Sequence, residues 1–296
     1  MPTLENLKTH IGTINLLQSV VRTMKTLAAV SLRHQEKVIQ SLTDYARTVD
    51  MGLMILLHEG VDEIDEQRLQ SDGKLGVIIL GSDQGLCGRF NEQVASFAWE
   101  QLQALEPEAL RRQILCVGNR AETSFVELGG TVHNSLSAPV SITGITPAVN
   151  SLLVVIDQWN SNYSVKRVVL FHNLLLAGTN CRPELLRLLP FDHARLLELA
   201  SQPWPSKTIP RYSMARKQLF SCLFRHSLFA SLYRVLAVSM AAENASRLAA
   251  MQAAEKNIGE RLDELNRQFR DLRQGVITEE VLDIVAGFEA MTSKRR

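Results

Sequence analysis

Proline is confined to the middle of this chain. Pro2 is the only proline before Pro107, the rest fall between Pro107 and Pro210, and none follows from Arg211 to Arg296. Proline removes an amide donor and clashes with the preceding helical turn, so proline-free stretches with apolar periodicity are free to form long helices. The distribution predicts two helical arms at the ends of the sequence around a compact centre. Paired long helices offer surface along a line and few enclosed pockets, which suits a chain that works by shape and contact.

In the first arm Leu4, Leu7, Ile11, Ile14, Leu17, Val21, Met24 and Ala28 recur at steps of three or four, the spacing of one helical face. Ile39, Leu42, Ala46, Val49, Leu53 and Leu56 continue the step towards His58. Between the two series the stripe weakens and Lys25, Arg33, His34 and Lys37 appear. That interruption reads either as a change of partner along the helix or as a solvated face with a phase slip. A helix from Thr3 to His58 would be roughly 80 Å long, wider than an ordinary globular core.

The second arm holds only Gly259, Gly275 and Gly287 between Met214 and Met291, among long runs of good helix formers. As one helix it would reach roughly 115 Å. From Val238 to Ala254 it carries a narrow seam of Ala241, Ala242, Ala245, Ala249, Ala250, Ala253 and Ala254, with Leu248 and Met251 among them. Small side chains let two helix backbones approach closely. Leu262, Leu265, Phe269 and Leu272 then restore a bulky stripe. Gly275 followed by Thr278 and Glu280 offers a local stop and a fresh N-cap as the alternative to a continuous helix. Lys294, Arg295 and Arg296 suit a helix C-terminus.

The centre alternates strand and helix. Leu75–Leu80, Ile114–Val117 and Val165–Asn173 read as strands, and Asn91–Leu105, Arg120–Leu128 and Pro147–Trp159 as helices. Leu185–Leu189 adds an edge strand, and Pro203, Pro205 and Pro210 return the chain to the second arm. This is the pattern of a small parallel α/β, Rossmann-like sheet. The expected fold class is therefore α/β with long helices. An N-terminal helix at 1–60 and a C-terminal helix at 211–296 are expected to flank an α/β domain at 74–200.

Composition excludes several classes. The chain of 296 residues is 46% hydrophobic and 21% charged with a net charge of +1, which argues against a generally basic nucleic-acid binder. No apolar run reaches the roughly 18 residues of a membrane span, and Met1 to His10 lacks the blocks of a secretory signal. A cytoplasmic-side location is the default expectation. Cys87, Cys116, Cys181 and Cys222 form no Cys-x-x-Cys pair, so they read as reduced thiols. The seven histidines are dispersed singly, without metal-ligand spacing.

The loop Gly81-Ser-Asp-Gln-Gly-Leu-Cys-Gly88 is where an enzyme reading succeeds or fails. It could present amides to a phosphate at a helix start, but its spacing is neither Gly-x-Gly-x-x-Gly nor Walker A, and no lysine followed by Ser or Thr closes it. A tight strand-to-helix turn is the better reading, with Asp83 or Ser82 as caps. Cys87 at a helix start has no histidine or second acid nearby in sequence to activate it.

Three segments carry a family resemblance: Val21-Arg-Thr-Met-Lys-Thr-Leu-Ala-Ala-Val-Ser-Leu-Arg33, Gly81-Ser-Asp-Gln-Gly-Leu-Cys-Gly-Arg-Phe-Asn91, and Ala242-Glu-Asn-Ala-Ser-Arg-Leu-Ala-Ala-Met-Gln-Ala-Ala-Glu-Lys-Asn257 continuing to Arg273-Gln-Gly-Val-Ile-Thr-Glu-Glu280. In order and spacing they resemble the gamma subunit of the F-type ATP synthase, the central rotor stalk. The resemblance implies that the helices at 1–60 and 211–296 pair as one discontinuous antiparallel coiled coil inside a hexamer of alpha and beta subunits, with the α/β domain near the epsilon subunit and the c ring. It implies peripheral attachment at the cytoplasmic face of the cell membrane, no catalytic, cofactor or metal residues, and no nucleic-acid partner.

By the same resemblance Arg247, Gln274 and Thr278 meet the loops of beta. Met24, Lys25 and the Cys87 loop approach the acidic loop at the base of beta, and Val281, Ile284, Val285 and Phe288 turn in the apical bearing. The alternative for each is helix packing or a solvated face. Gln84 stands where the family has arginine, Arg89 where it has glycine and Leu248 where it has methionine. These departures resemble a divergent branch such as the alternate, sodium-type F-type ATPases. Arg89 is the candidate to supply the charge absent at position 84. Two other classes stay open: a nucleotide-binding α/β enzyme, which predicts binding of ATP or NAD by the isolated chain, and a non-rotary coiled-coil scaffold, which predicts self-association of the arms.

Overall fold

The computed structural model describes residues 3–58, 73–176, 178–191, 193–204, 207–208 and 210–293, the side chains of 193 and 287–293 excepted. Pro205 and the basic end, Lys294 to Arg296, lie outside the described residues. Both proline-free arms are helices: α1 spans Leu4–His58, 55 residues, and the last helix, α6, spans Arg216–Ser293, 78 residues. The chain falls into two units, Met1–Leu27 with Ala250–Arg296, and Ala28–Ala249.

The first unit is a helix pair. On the α1 side Leu7 and Val21 are buried and Leu4, Ile11, Ile14, Gln18, Met24 and Lys25 are partly covered, so that, with Met24 beside Lys25, the steps from Leu4 to Lys25 alternate between three and four. That mean repeat of about 3.5 is the coiled-coil repeat. Leu17, expected on this stripe, is instead 51% exposed. Two successive steps of three from Ile11 carry position 17 about 120° round the helix, whereas Gln18 stays within about 20° of Ile11. On the α6 side Met251, Leu262 and Leu265 are buried and Phe269 and Leu272 partly so, as their spacing predicts. Helix α6 runs through Gly275, and Thr278 Oγ1 donates to Gln274 O within the helix at 2.8 Å instead of capping a new one.

The second unit is built on a five-stranded sheet. Its strands are β1 (Lys74–Leu80), β2 (Arg112–Val117), β3 (Asn134–Leu136), β4 (Val165–Leu175) and β5 (Cys181–Leu189), in the order β3-β2-β1-β4-β5. All pairings are parallel except the edge pair β4–β5. Helices α2 (Phe90–Leu105), α3 (Asn119–Glu127) and α4 (Ile142–Tyr163) make the crossovers, and α5 (His193–Ser201) follows the sheet. The order 3-2-1-4 is that of a Rossmann-like half, in agreement with the expected class.

Each sheet face is covered by a different layer. Ile78, Leu80, Leu115 and Val117 pack with Val149, Leu152 and Trp159 of α4 and with Leu228, Leu232, Val235 and Leu236 of α6. Leu75, Val77, Ile79, Cys116 and Phe171 pack with Val94, Ala98 and Leu102 of α2 and Phe125 of α3. The start of α6 is thus a structural layer of the sheet. A smaller cluster joins Val49, Leu53, Met54 and Leu57 of α1 to Leu196 and Leu199 of α5.

Strand β3 and helix α5 are absent from the sequence reading, the first because Asn134–Leu136 is too short to show a period. Helix α4 starts at Ile142, with Pro147 inside it. Proline there forfeits one amide early in the helix, and the following apolar turns hold the element in place.

Candidate functional site

The glycine loop is locked by its own side chains. Ser82, fully buried, donates its amide to Asn91 Oδ1 at 2.9 Å and its hydroxyl to Gln84 O at 2.8 Å. Asn91 Nδ2 returns a bond to Ser82 Oγ at 2.9 Å and reaches Cys87 Sγ at 3.4 Å. A Cβ on Gly81 would collide with Ala121 and Asn91 Oδ1, so only glycine fits where the strand turns away. Asp83 caps a helix other than the one its loop leads into: Oδ1 accepts from the Asn119 amide at the start of α3 at 2.9 Å, and Oδ2 accepts from the Ala138 amide at 3.0 Å.

This loop sits at the ends of β1 and β4, the switch point where doubly wound sheets hold ligands. Here Cys87, Phe90 and Ala242 form one buried cluster, with Leu175 and Cys181 against it. The chain's own helix α6 packs here through Ala242, and the Ser82 amide is already engaged by Asn91. Cys87 is 2% exposed and burial pushes its thiol up, an effect only partly offset by the Ser82 hydrogen bond. A buried thiol held protonated is a poor nucleophile. Cys116, on β2, is pushed up to about 12 by burial.

The alanine seam brings α6 to the loop and to α1. Ala241, Ala242 and Ala245 are buried, which leaves room for polar groups between the backbones. Arg247, 8% exposed, donates from Nη2 to Glu243 Oε1 at 2.6 Å and to Gly85 O at 3.5 Å, and from Nη1 to Asn244 Oδ1 at 3.3 Å. Asn244 Nδ2 in turn donates to Gln35 Oε1 of α1 at 3.2 Å. Burial raises the Glu243 carboxyl above its usual range and Arg247 opposes the rise. The structure therefore brings Arg247 and the Cys87 loop together in one network. Sequence reasoning missed Gln35, Glu243 and Asn244; the signal was the heptad position of Gln35, one full repeat after Ala28.

Met24 and Lys25 belong to the helix pair of the first unit. Lys25 Nζ donates to Glu255 Oε2 at 2.5 Å and Arg22 Nε to Glu255 Oε1 at 3.0 Å, so one carboxylate on α6 joins two cations on α1. The Lys25 bond, then that of Arg22, holds the Glu255 carboxyl below its ordinary range. Met24 is partly covered.

Gln274 and Thr278 are exposed on α6. Val281, Ile284 and Val285 are also exposed, Ile284 at 71%, while the side chain of Phe288 lies outside the described residues. Leu16, Leu17, Val20 and Leu27 leave a second large apolar face uncovered on α1. Isolated exposed leucines are ordinary, but runs of them on one helix face mark interaction surfaces. Among the described residues no group of three or more His, Cys, Asp and Glu is placed to hold a metal. No described helix is long and apolar enough to cross a membrane.

A family model described as ATP synthase matches residues 3–291. The chain is 24% identical over 295 residues to the ATP synthase gamma chain of Nitrosomonas europaea, covering 98% of this chain and 100% of that one. It is 26% identical over 294 residues to the ATP synthase gamma chain of Nitrosococcus oceani, covering 97% and 99%. Its fold is similar to a chain of the OSCP/F1/c-ring structure of the Euglena gracilis mitochondrial ATP synthase in rotational state 3. That similarity has a TM-score of 0.66 at 14% identity, over 99% of this chain and 96% of that one.

Proposed function

The chain belongs to the ATP synthase gamma-chain family, and from that premise we propose that it is the central rotor stalk of a membrane-associated F-type ATP synthase. In this role it carries no reaction of its own. It turns with the c ring as ions cross the membrane and presents a different side to each of three beta subunits, where ATP is made or hydrolysed. Coupling of this kind requires only that each beta conformation make different contacts with the stalk. The partners are alpha and beta in a hexamer, epsilon beside the α/β domain, and the c ring, whose chemistry selects proton or sodium. The chain is peripheral to the membrane through the complex, on its cytoplasmic face.

The observation that carries this reading is the uncovered apolar run Val281, Leu282, Ile284 and Val285, which lies beyond the buried stripe of Met251, Leu262 and Leu265 on the same helix. A greasy, non-sticky surface at the end of a helix pair suits a bearing inside a sleeve of other subunits. Gln274 and Thr278 supply polar contacts to beta beside it, and Met24 and Lys25 contact the base of beta from α1. Arg247 acts from its buried position by holding the Gly85 carbonyl, so that the Cys87 loop and the shaft move as one body. The packing of Ala242 on Cys87 and Phe90 and the engaged Ser82 amide speak against the nucleotide-enzyme alternative.

Affinity purification of the full chain from its native membrane, with mass-spectrometric identification of partners, tests the proposal. Alpha, beta, epsilon and c subunits are expected in stoichiometric amounts. Recovery without alpha and beta would overturn the rotor role.

A further inference from the structure

We propose that a cavity between α1, α5 and α6 in the second unit binds a phosphate-bearing amphiphile. The cavity has a volume of about 520 Å³, within the range of about 300–1,000 Å³ typical of small-molecule sites. Leu42, Met54 and Leu199 give it apolar walls, and three arginines, Arg47, Arg195 and Arg234, are among its lining residues.

Charge decides the ligand. Arg195 Nη2 donates to both oxygens of Asp50, at 3.3 and 3.2 Å, and among the described residues Asp50 is the only carboxylate lining the cavity. Arg47 and Arg234 have no acidic partner among the described residues. Three cations against one anion leave two unmatched positive charges around one cavity. A phosphate monoester carries about −1.5 to −2 charges near neutrality, and guanidinium forks bind phosphate oxygens in pairs. A single carboxylate would leave one charge unmatched. The apolar walls require more than a bare anion, because a fully hydrated ion would leave them wet. A phosphate attached to an aliphatic segment satisfies both, whether its source is a lipid headgroup or a soluble phosphomonoester. This site is separate from the glycine loop and does not depend on the rotor reading.

Calorimetric titration of the full chain with dihexanoyl phosphatidic acid below its micellar concentration tests the site. Inorganic phosphate serves as competitor and dihexanoyl phosphatidylcholine as the zwitterionic control. One molecule per chain is expected to bind, phosphate to compete, and the control to bind at least about tenfold more weakly. Arg47→Gln with Arg234→Gln changes two exposed side chains and is expected to abolish the preference for the phosphomonoester. Ala230→Phe, which keeps every charge but fills the cavity, is expected to block the amphiphile.

Co-sedimentation with phosphatidic-acid vesicles, lost in the double variant, would support the site and assign a bilayer source. Binding of the soluble lipid without co-sedimentation would support it with a soluble source. Absence of phosphatidic acid binding, equal binding by the double variant, or phosphate binding with no gain from the aliphatic segment would overturn it.

Discussion

Asn244 donates its side-chain amide to Gln35 Oε1 at 3.2 Å across the seam between α6 and α1. Gln35 is only 3% exposed and sits on the heptad repeat of α1, where every second turn otherwise places an apolar residue. A polar pair on a coiled-coil seam fixes register, since a slip of one helix would bury both amides without partners. Gln35→Leu is expected to destabilise the chain by about 1 kcal/mol by removing one buried hydrogen bond. Asn244→Leu removes the same bond and also the acceptor of Arg247 Nη1, so the shared bond is read from a double-mutant cycle by urea unfolding, which should show coupling well outside additivity. Additive effects would remove the register role.

Asp83 joins two elements by accepting amides of Asn119 and Ala138 with its two oxygens. Asp83→Ala should cost about 1–2 kcal/mol, as loss of a helix cap does. Asp83→Asn keeps one acceptor oxygen and should recover part of it. Thermal unfolding of the two variants gives the comparison; equal midpoints for wild type and Asp83→Ala would refute the cap.

The acid limb of stability has a defined sign. Glu255 is held below its ordinary value of 4.5 by Lys25 and Arg22, so the folded state binds fewer protons than the unfolded state. Its contribution is fully present above 4.5 and fades as pH falls through the depressed value. The helix pair should therefore loosen in acid, and Glu255→Gln should flatten that dependence. Arg22 is exposed and Lys25 and Glu255 are only part-covered, so the effect should be small and should shrink in salt. Circular dichroism of both proteins across the acid range reads it.

The bearing proposal separates stability from coupling. Ile284→Asp alters a side chain that is 71% exposed, so the isolated chain should keep its stability within about 0.5 kcal/mol. In an assembled complex the same charge would enter an apolar sleeve, and ion-driven ATP synthesis should fall severalfold. Unchanged synthesis with full assembly would place Ile284 outside the bearing.

Thiol accessibility checks the core directly. Cys222 is exposed, whereas Cys87 and Cys116 are buried. Maleimide should label Cys222 in the native chain and reach Cys87 and Cys116 only in denaturant, as peptide mass spectrometry would record. Fast native labelling of Cys87 would mean that the glycine loop opens away from Ala242.

Much of this molecule is written locally. The absence of proline and the steps of three and four determine α1 and α6 because a helix depends on residues within a turn or two of one another. The β-branched runs at β1, β2 and β4 are legible for the same reason, whereas the partners of Asp83, the amides of Asn119 and Ala138, are 36 and 55 residues away and are set by the fold. Tertiary structure decided what depends on distant partners. Leu17 and Gln18 both fit a helical stripe, and only the mate helix selects Gln18 through the 3.5-residue repeat. The antiparallel direction of β5 is set by its hairpin with β4, and the sheet layer made by Leu228 to Met240 is set by a surface far away in sequence. Arg247 shows the difference most clearly. Its sequence position marks it as a residue on the shaft, but its burial against Glu243, Asn244 and Gly85 exists only because the alanine seam lets three elements approach closely enough to enclose a charge.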